Sequence, residues 1–230
     1  MKSIDYGVLI HRSPYSSSSL ITTFYTEKNG LQKFIFKGGK KKSHSLFPMA
    51  VTELTYYGRN SDLLSLTDVE AIFPMTFQFN PIKSSIAYFM AEVVQKCVLV
   101  GDPDPHIYSL LKKYVFQLNE NEEVQLFPLQ FLIDFSDLLG IRPLRNDSTA
   151  NIFNIDTGNF QHTLSNELRS FKGPSIDLLI HLIDKTNLEL WPEKEVRNDA
   201  LRIYLNYFSI HIPKFKKLAS YEILKEILSD

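Results

Sequence analysis

Cysteine is nearly absent from this chain. The one residue of its kind, Cys97, excludes an internal disulfide framework and any zinc site built on several thiolates, and it points to a reducing compartment. Long apolar runs are missing too. The amino-terminal MKSIDYGVLI has no stretch of signal-peptide length, and the richest apolar segment, Ile86 to Val100, is broken by Glu92, Gln95 and Lys96. A cytosolic protein without a membrane span is expected. Nor does one charge dominate: 25 basic residues face 26 acidic ones, for a formal charge of −1. A uniformly basic coat is excluded, so a polyanion would have to be held by a local cluster.

Catalytic signatures are absent as well. The six histidines, at positions 11, 44, 106, 162, 181 and 211, include no i, i+4 pair of the kind that holds a metal on a helix. Ser18 and Ser19 lack the flanking glycines of a nucleophile elbow, and no carboxylate pair is spaced recognisably for acid/base work. No enzyme, cofactor or metal is expected.

What is present is an ordinary globular composition, 44% hydrophobic and 22% charged over 230 residues, enough for one large core or two modest ones. Up to about Phe79, short β-branched and aromatic runs predict five strands: Asp5 to Arg12, Leu20 to Thr26, Leu31 to Lys37, Ala50 to Tyr57 and Leu63 to Ile72. Ser13-Pro14, Asn29-Gly30, Gly38-Gly39 and Gly58 with Asn60 supply the turns, and five strands in so short a span suit a five-stranded antiparallel barrel of the OB-fold kind. After Phe79 the period changes to 3.6, predicting a first helix from Pro81 with Ile82, Ile86, Phe89, Met90, Val93, Cys97 and Val98 on one stripe. Further helices are predicted at His106 to Gln117, Val124 to Leu139, Ser175 to Lys185, Lys194 to Ile212 and Ser220 to Leu228. Between Arg142 and Gln161 the pattern is irregular, with a hairpin turn at Asp156 to Asn159. The expected fold is α+β: an OB-fold domain over 1–79 and a helical domain over 80–230 with an irregular insert near 142–161.

The densest charge cluster is KGGKKKS, Lys37 to Ser43, with four lysines and no acid. It is not a P-loop, since position 34 is Phe and Leu46-Phe47-Pro48 leads into a strand rather than a helix. It reads as a hairpin loop offering ammonium groups to phosphates, with Tyr25, Phe34, Phe36, Tyr56 and Tyr57 on adjoining strands as rings on which bases stack if exposed. A solvated lysine loop and rings turned into the barrel are the competing reading. In the helical half, Lys112 with Lys113, Arg142 with Arg145, and Arg169 with Lys172 set cations beside apolar faces. Such an arrangement suits an acidic peptide ending in an aromatic, or is simply a solvated face.

Taken in order, GVLIHRSPYSSSSLITTFYTEKNGLQKFIFKG (Gly7 to Gly38), VTELTYYGR (Val51 to Arg59), IKSSIAYFMAEVV (Ile82 to Val94) and DALRIYLNYFSIHIPKFKKLASYEILKEIL (Asp199 to Leu228) resemble the RecO family of bacterial recombination mediators, in the form found in Bacteroidetes-like bacteria. The resemblance runs over nearly the whole chain. It implies a non-catalytic, cytoplasmic and nucleoid-associated protein that binds single- and double-stranded DNA and anneals complementary strands. It also implies contacts with RecR and with the acidic, Phe-ended tail of single-strand-binding protein (SSB), helping RecA onto SSB-coated strands. By position it assigns DNA contacts to Arg12, Lys33, Lys37, Lys40, Lys41, Lys42 and Arg59. For the SSB tail the candidates are Lys112, Lys113, Arg142 and Arg145. Many family members carry a four-cysteine zinc module after the segment matching Gly140 to Pro143; this chain has no cysteine there, and the hairpin at Asp156 to Phe160 is expected to form without metal. A hub that joins RecR to SSB and scarcely touches DNA is the alternative function.

Overall fold

The computed structural model describes residues 2–41, 46–58, 63–164, 168–188 and 190–228. Five strands, β1 (Lys2–Pro14), β2 (Leu20–Thr26), β3 (Gly30–Phe36), β4 (Val51–Tyr57) and β5 (Leu64–Ala71), close a barrel in the order β1-β2-β3-β5-β4. All pairings are antiparallel except β3 with β5. The thirteen-residue β1 is longer than its alternation suggested because it serves two neighbours. Lys2 to Val8 pair with β4, and Gly7 to Pro14 pair with β2. A register shift between Leu9 and His11 bends the strand so that it can do both.

Inside the barrel Phe24, Phe34 and Tyr56 meet edge to face, with centroids 5.8 and 5.3 Å apart. Each such pair adds about 0.5–1.5 kcal/mol beyond its buried area. At one end, the buried Asp5 accepts from the Asn29 side chain (2.9 Å) and from the Tyr6 amide (2.8 Å), which fixes the Asn29-Gly30 turn. Burial pushes the Asp5 carboxyl above its ordinary value, although these hydrogen bonds and the charge of Lys28 act against it. Gly30 has φ +64°, and a Cβ there would lie 2.5 Å from the Asp102 carbonyl oxygen, so both conformation and space demand glycine.

Helix α1 (Pro81–Cys97) starts where Asn80 accepts from the amides of Ile82 and Lys83 at 3.0 and 3.1 Å, with Pro81 in the first turn. Ile86, Phe89, Met90, Val93 and Val94 are buried; Ile82, Cys97 and Val98 at the two ends are only half-buried. Burial pushes the Cys97 thiol up to about 12. Helix α2 (Pro105–Glu120) is capped by Asp104, whose backbone also exchanges hydrogen bonds with the Tyr25 hydroxyl. The chain forms two compact units. The barrel, α1, α2 and the last helix, α6 (Ala219–Ile227), make the first, residues 1–122 with 218–227. The change of period at Phe79 is therefore not where the packing divides: α1 lays its apolar stripe against β1 and α6.

The second unit, residues 123–217 with 228–230, contains α3 (Phe127–Leu138), α4 (Pro174–Ile183), α5 (Lys194–His211) and a small sheet. The insert that reads as irregular is ordered: β6 (Ile152–Asn154) pairs with β7 (Asn159–Gln161) on one side and β8 (Ser170–Phe171) on the other. Its turn is held by the Asn154 side chain, which accepts from the amides of Asp156 and Thr157 at 2.9 and 3.3 Å. Phe153 stacks on Phe160 and meets Tyr207 edge-on. Gly158, at φ +71°, lies under the Tyr207 hydroxyl, where a Cβ would come within 2.8 Å.

Candidate nucleic-acid interface

Alternation along β3 decides which side chains reach solvent. Leu31 and Phe34 are buried, Lys33 is exposed and Ile35 is half-buried; Lys37 follows at the strand's end, exposed. Lys33 and Lys37 therefore stand on one outward row, roughly 13 Å apart along the strand. The chain then turns through Gly38 (φ +74°) to Lys40 and Lys41, both exposed. This turn is anchored. The Lys41 amide donates to the Gly38 carbonyl at 3.1 Å, and the Lys40 amide donates to the Ser18 carbonyl of the β1–β2 loop at 3.3 Å. A Cβ on Gly39 would strike the Phe36 ring at 2.6 Å, so that glycine lets the turn lie flat on the barrel.

Four lysines, 33, 37, 40 and 41, are thus gathered on one strand and its turn, and none is paired with a carboxylate among the described residues. Two acids of the barrel lie on other strands. Glu53 of β4 and Glu70 of β5 are directly opposed, and Glu53 also faces Tyr6, whose hydroxyl it raises above its ordinary value. Neutral overall charge thus conceals a local cluster of lysines on β3 and its turn.

Other candidates lie apart. Arg12 is half-buried on β1, where with His11, Tyr88, Glu92, Ser220 and Ile223 it lines a cavity of about 480 Å³ between β1, α1 and α6. Lys42 and Arg59 lie outside the described residues. Of the five strand rings, Tyr25, Phe34, Phe36 and Tyr56 are buried, which overturns their use as stacking surfaces; Tyr57 is exposed. The exposed ring beside the lysine turn is Tyr15, in the β1–β2 loop, which the strand-by-strand reading missed; an aromatic opening a serine run was the available signal.

The four peptide-binding candidates are divided between the units. Lys112 and Lys113 are exposed on α2, one turn before the exposed Phe116, whose ring meets Phe73 edge to face at 5.4 Å. In the other unit, the Arg142 guanidinium donates to the Ile183 carbonyl at 2.7 Å and sits 3.4 Å from Asp137. Arg145 is bound to Asp184 and to the carbonyls of Ser148 and Ala150. Both arginines brace loops. Arg169 pairs with Asp156 at 3.7 Å, and Lys172 is exposed.

The architecture defines a class in which a strand-built module precedes a helical one, with no group of three or more His, Cys, Asp or Glu side chains placed to hold a metal among the described residues. Two family models match the chain, Recombination protein O N terminal over residues 1–75 and Recombination protein O C terminal over residues 78–220. Among curated proteins, the chain is 28% identical to the DNA repair protein RecO of Phocaeicola vulgatus, covering 97% of this chain and 98% of that protein. It is 27% identical to DNA repair protein RecO of Christiangramia forsetii (96% and 97% covered) and 26% identical to that of Flavobacterium psychrophilum (97% and 98%). The chain belongs to the recombination protein O family, whose members are non-catalytic mediators of DNA repair and recombination. Its single cysteine cannot build a four-cysteine module.

Proposed function

We propose that the barrel is an OB-fold that grips single- and double-stranded DNA by its phosphates, and that the protein anneals complementary strands and, with RecR, helps RecA onto SSB-coated single strands in the cytoplasm. The strand order and the parallel β3–β5 pairing support the OB-fold reading. The observation that carries the DNA reading is the row of unpaired lysines, 33, 37, 40 and 41, on β3 and its anchored turn. Lys42 continues the cluster in sequence, and Arg12 and Arg59 are further candidates away from it in sequence. Lysine neutralises phosphate as a point charge, giving affinity without sequence preference. Two strands held on one basic edge are concentrated relative to each other, which speeds their pairing.

For the SSB tail the better-supported seat is Lys112 and Lys113 beside Phe116 and Phe73, where an aromatic terminus meets rings and its carboxylates meet ammonium groups. Arg142 and Arg145 serve that role only by releasing their present partners. The test is annealing of complementary fluorescent strands, bare and SSB-coated, with the protein added. Faster pairing in both is expected. Capture of the SSB-tail peptide with no DNA binding and no annealing would replace this reading with the hub.

A further inference from the structure

We infer that Tyr15 is a base-stacking platform that makes the grip prefer single strands; this rests on the DNA reading above. Tyr15 is 62% exposed, on a loop that is nevertheless tied by hydrogen bonds. Its amide donates to the Ser19 carbonyl at 3.0 Å, the Ser16 amide donates to the same oxygen at 3.3 Å, and the Ser19 amide donates to the Ser16 hydroxyl at 3.1 Å. The same loop receives the Lys40 amide at Ser18, so the backbone that carries the ring is bonded to the backbone that carries the lysines. Neither a ring contact nor a hydrogen bond engages the Tyr15 side chain among the described residues. Its neighbours Ser16, Ser17 and Ser18 are small and exposed, leaving ring faces open.

A large aromatic in that position makes no contribution to the barrel core, and its exposure costs solvation that a ligand would recover. Phosphates seated on Lys37, Lys40 and Lys41 bring the bases of a single strand within reach of the ring. In a duplex the base faces are already stacked on one another, so the ring gains nothing there. Stacking is also insensitive to salt, unlike the lysine contacts. The lysines thus set affinity for any nucleic acid backbone, and Tyr15 sets the preference for an open one.

The experiment compares the wild type, Tyr15→Ala and Tyr15→Phe on three fluorescent ligands by anisotropy: an oligo-dT, an abasic strand of equal length and a duplex. Tyr15→Ala is expected to weaken oligo-dT binding by roughly 5- to 150-fold, the range that loss of one stacked base gives. Tyr15→Phe is expected to bind oligo-dT as the wild type does. Abasic-strand and duplex affinities, and the salt slope on all three, should match the wild type. Equal losses on the dT and abasic strands, or no loss on either, would overturn the stacking role while leaving the DNA reading intact. A wild type that binds none of the three would overturn the DNA reading, and this inference with it.

Discussion

The sharpest consequence of the lysine row is a salt dependence that can be computed from it. Each phosphate neutralised on a single strand contributes about 0.7 to the slope of log affinity against log salt, so contacts from Lys33, Lys37, Lys40 and Lys41 give about 2.8. Between roughly 50 and 200 mM salt the wild type should then lose affinity about 50-fold. The triple variant Lys37→Ala, Lys40→Ala, Lys41→Ala keeps one of the four contacts, and over the same interval it should lose only about 3-fold. Contacts made by Lys42 or Arg59 add equally to both slopes, so the expected difference, about 2 units, does not depend on them. All three side chains are exposed and without ion-pair partners among the described residues, so each substitution should move stability by no more than about 0.5 kcal/mol. The assay is fluorescence anisotropy on a labelled single strand across the salt series, with Lys112→Ala, Lys113→Ala as a control that removes two lysines from α2 and should keep the wild-type slope. An unchanged slope in the triple variant would refute the placement of the grip.

Two further outcomes test the packing. Glu92 of α1 caps α6 from outside that helix, its carboxylate accepting from the amides of Ala219 and Ser220 at 3.1 and 2.8 Å. Burial alone would raise the Glu92 carboxyl, but the Ser220 and Ala219 hydrogen bonds and nearby Lys96 outweigh it and hold the group below its ordinary value of 4.5. The resulting stability is complete above that unfolded-state value and lost as pH falls through the lowered folded value. Accordingly, Glu92→Gln should flatten the acid limb of the melting-temperature profile below pH 4.5, and a limb parallel to the wild type would count against the cap. In the second unit, the buried Ser136 hydroxyl donates to the Ile133 carbonyl at 2.7 Å, which leaves the Tyr204 hydroxyl to donate to Ser136 at 2.8 Å. Ser136→Ala strands a buried donor and should cost about 1–3 kcal/mol, whereas Tyr204→Phe removes the donor itself and should cost about 1 kcal/mol. Denaturant unfolding that reverses this order would show that the hydrogen-bond direction is wrong.

The existence and order of the barrel strands and of the helices were legible because local chemistry dictates them, whereas the three-stranded sheet of the insert was not. Period-two runs punctuated by Asn29-Gly30 mark strands, and Asn80-Pro81 at the change to period 3.6 marks the start of α1. The lysine cluster was equally legible, since charge density is a property of the chain itself. Tertiary structure decided which rings are available. Phe24 and Tyr25 are adjacent and point to opposite faces, yet both are fully buried, one inside the barrel and the other under the first turn of α2. Alternation alone cannot anticipate a helix arriving from 79 residues further along the chain. For the same reason Arg142 and Arg145 look like free cations in sequence and prove to be braces, because their acceptors at Ile183 and Asp184 are about forty residues away. The α6 cap comes from Glu92, 127 residues before Ala219. Local sequence thus determined where the barrel strands and the helices form, and long-range packing determined the sheet of the insert and which side chains remain free to meet a partner.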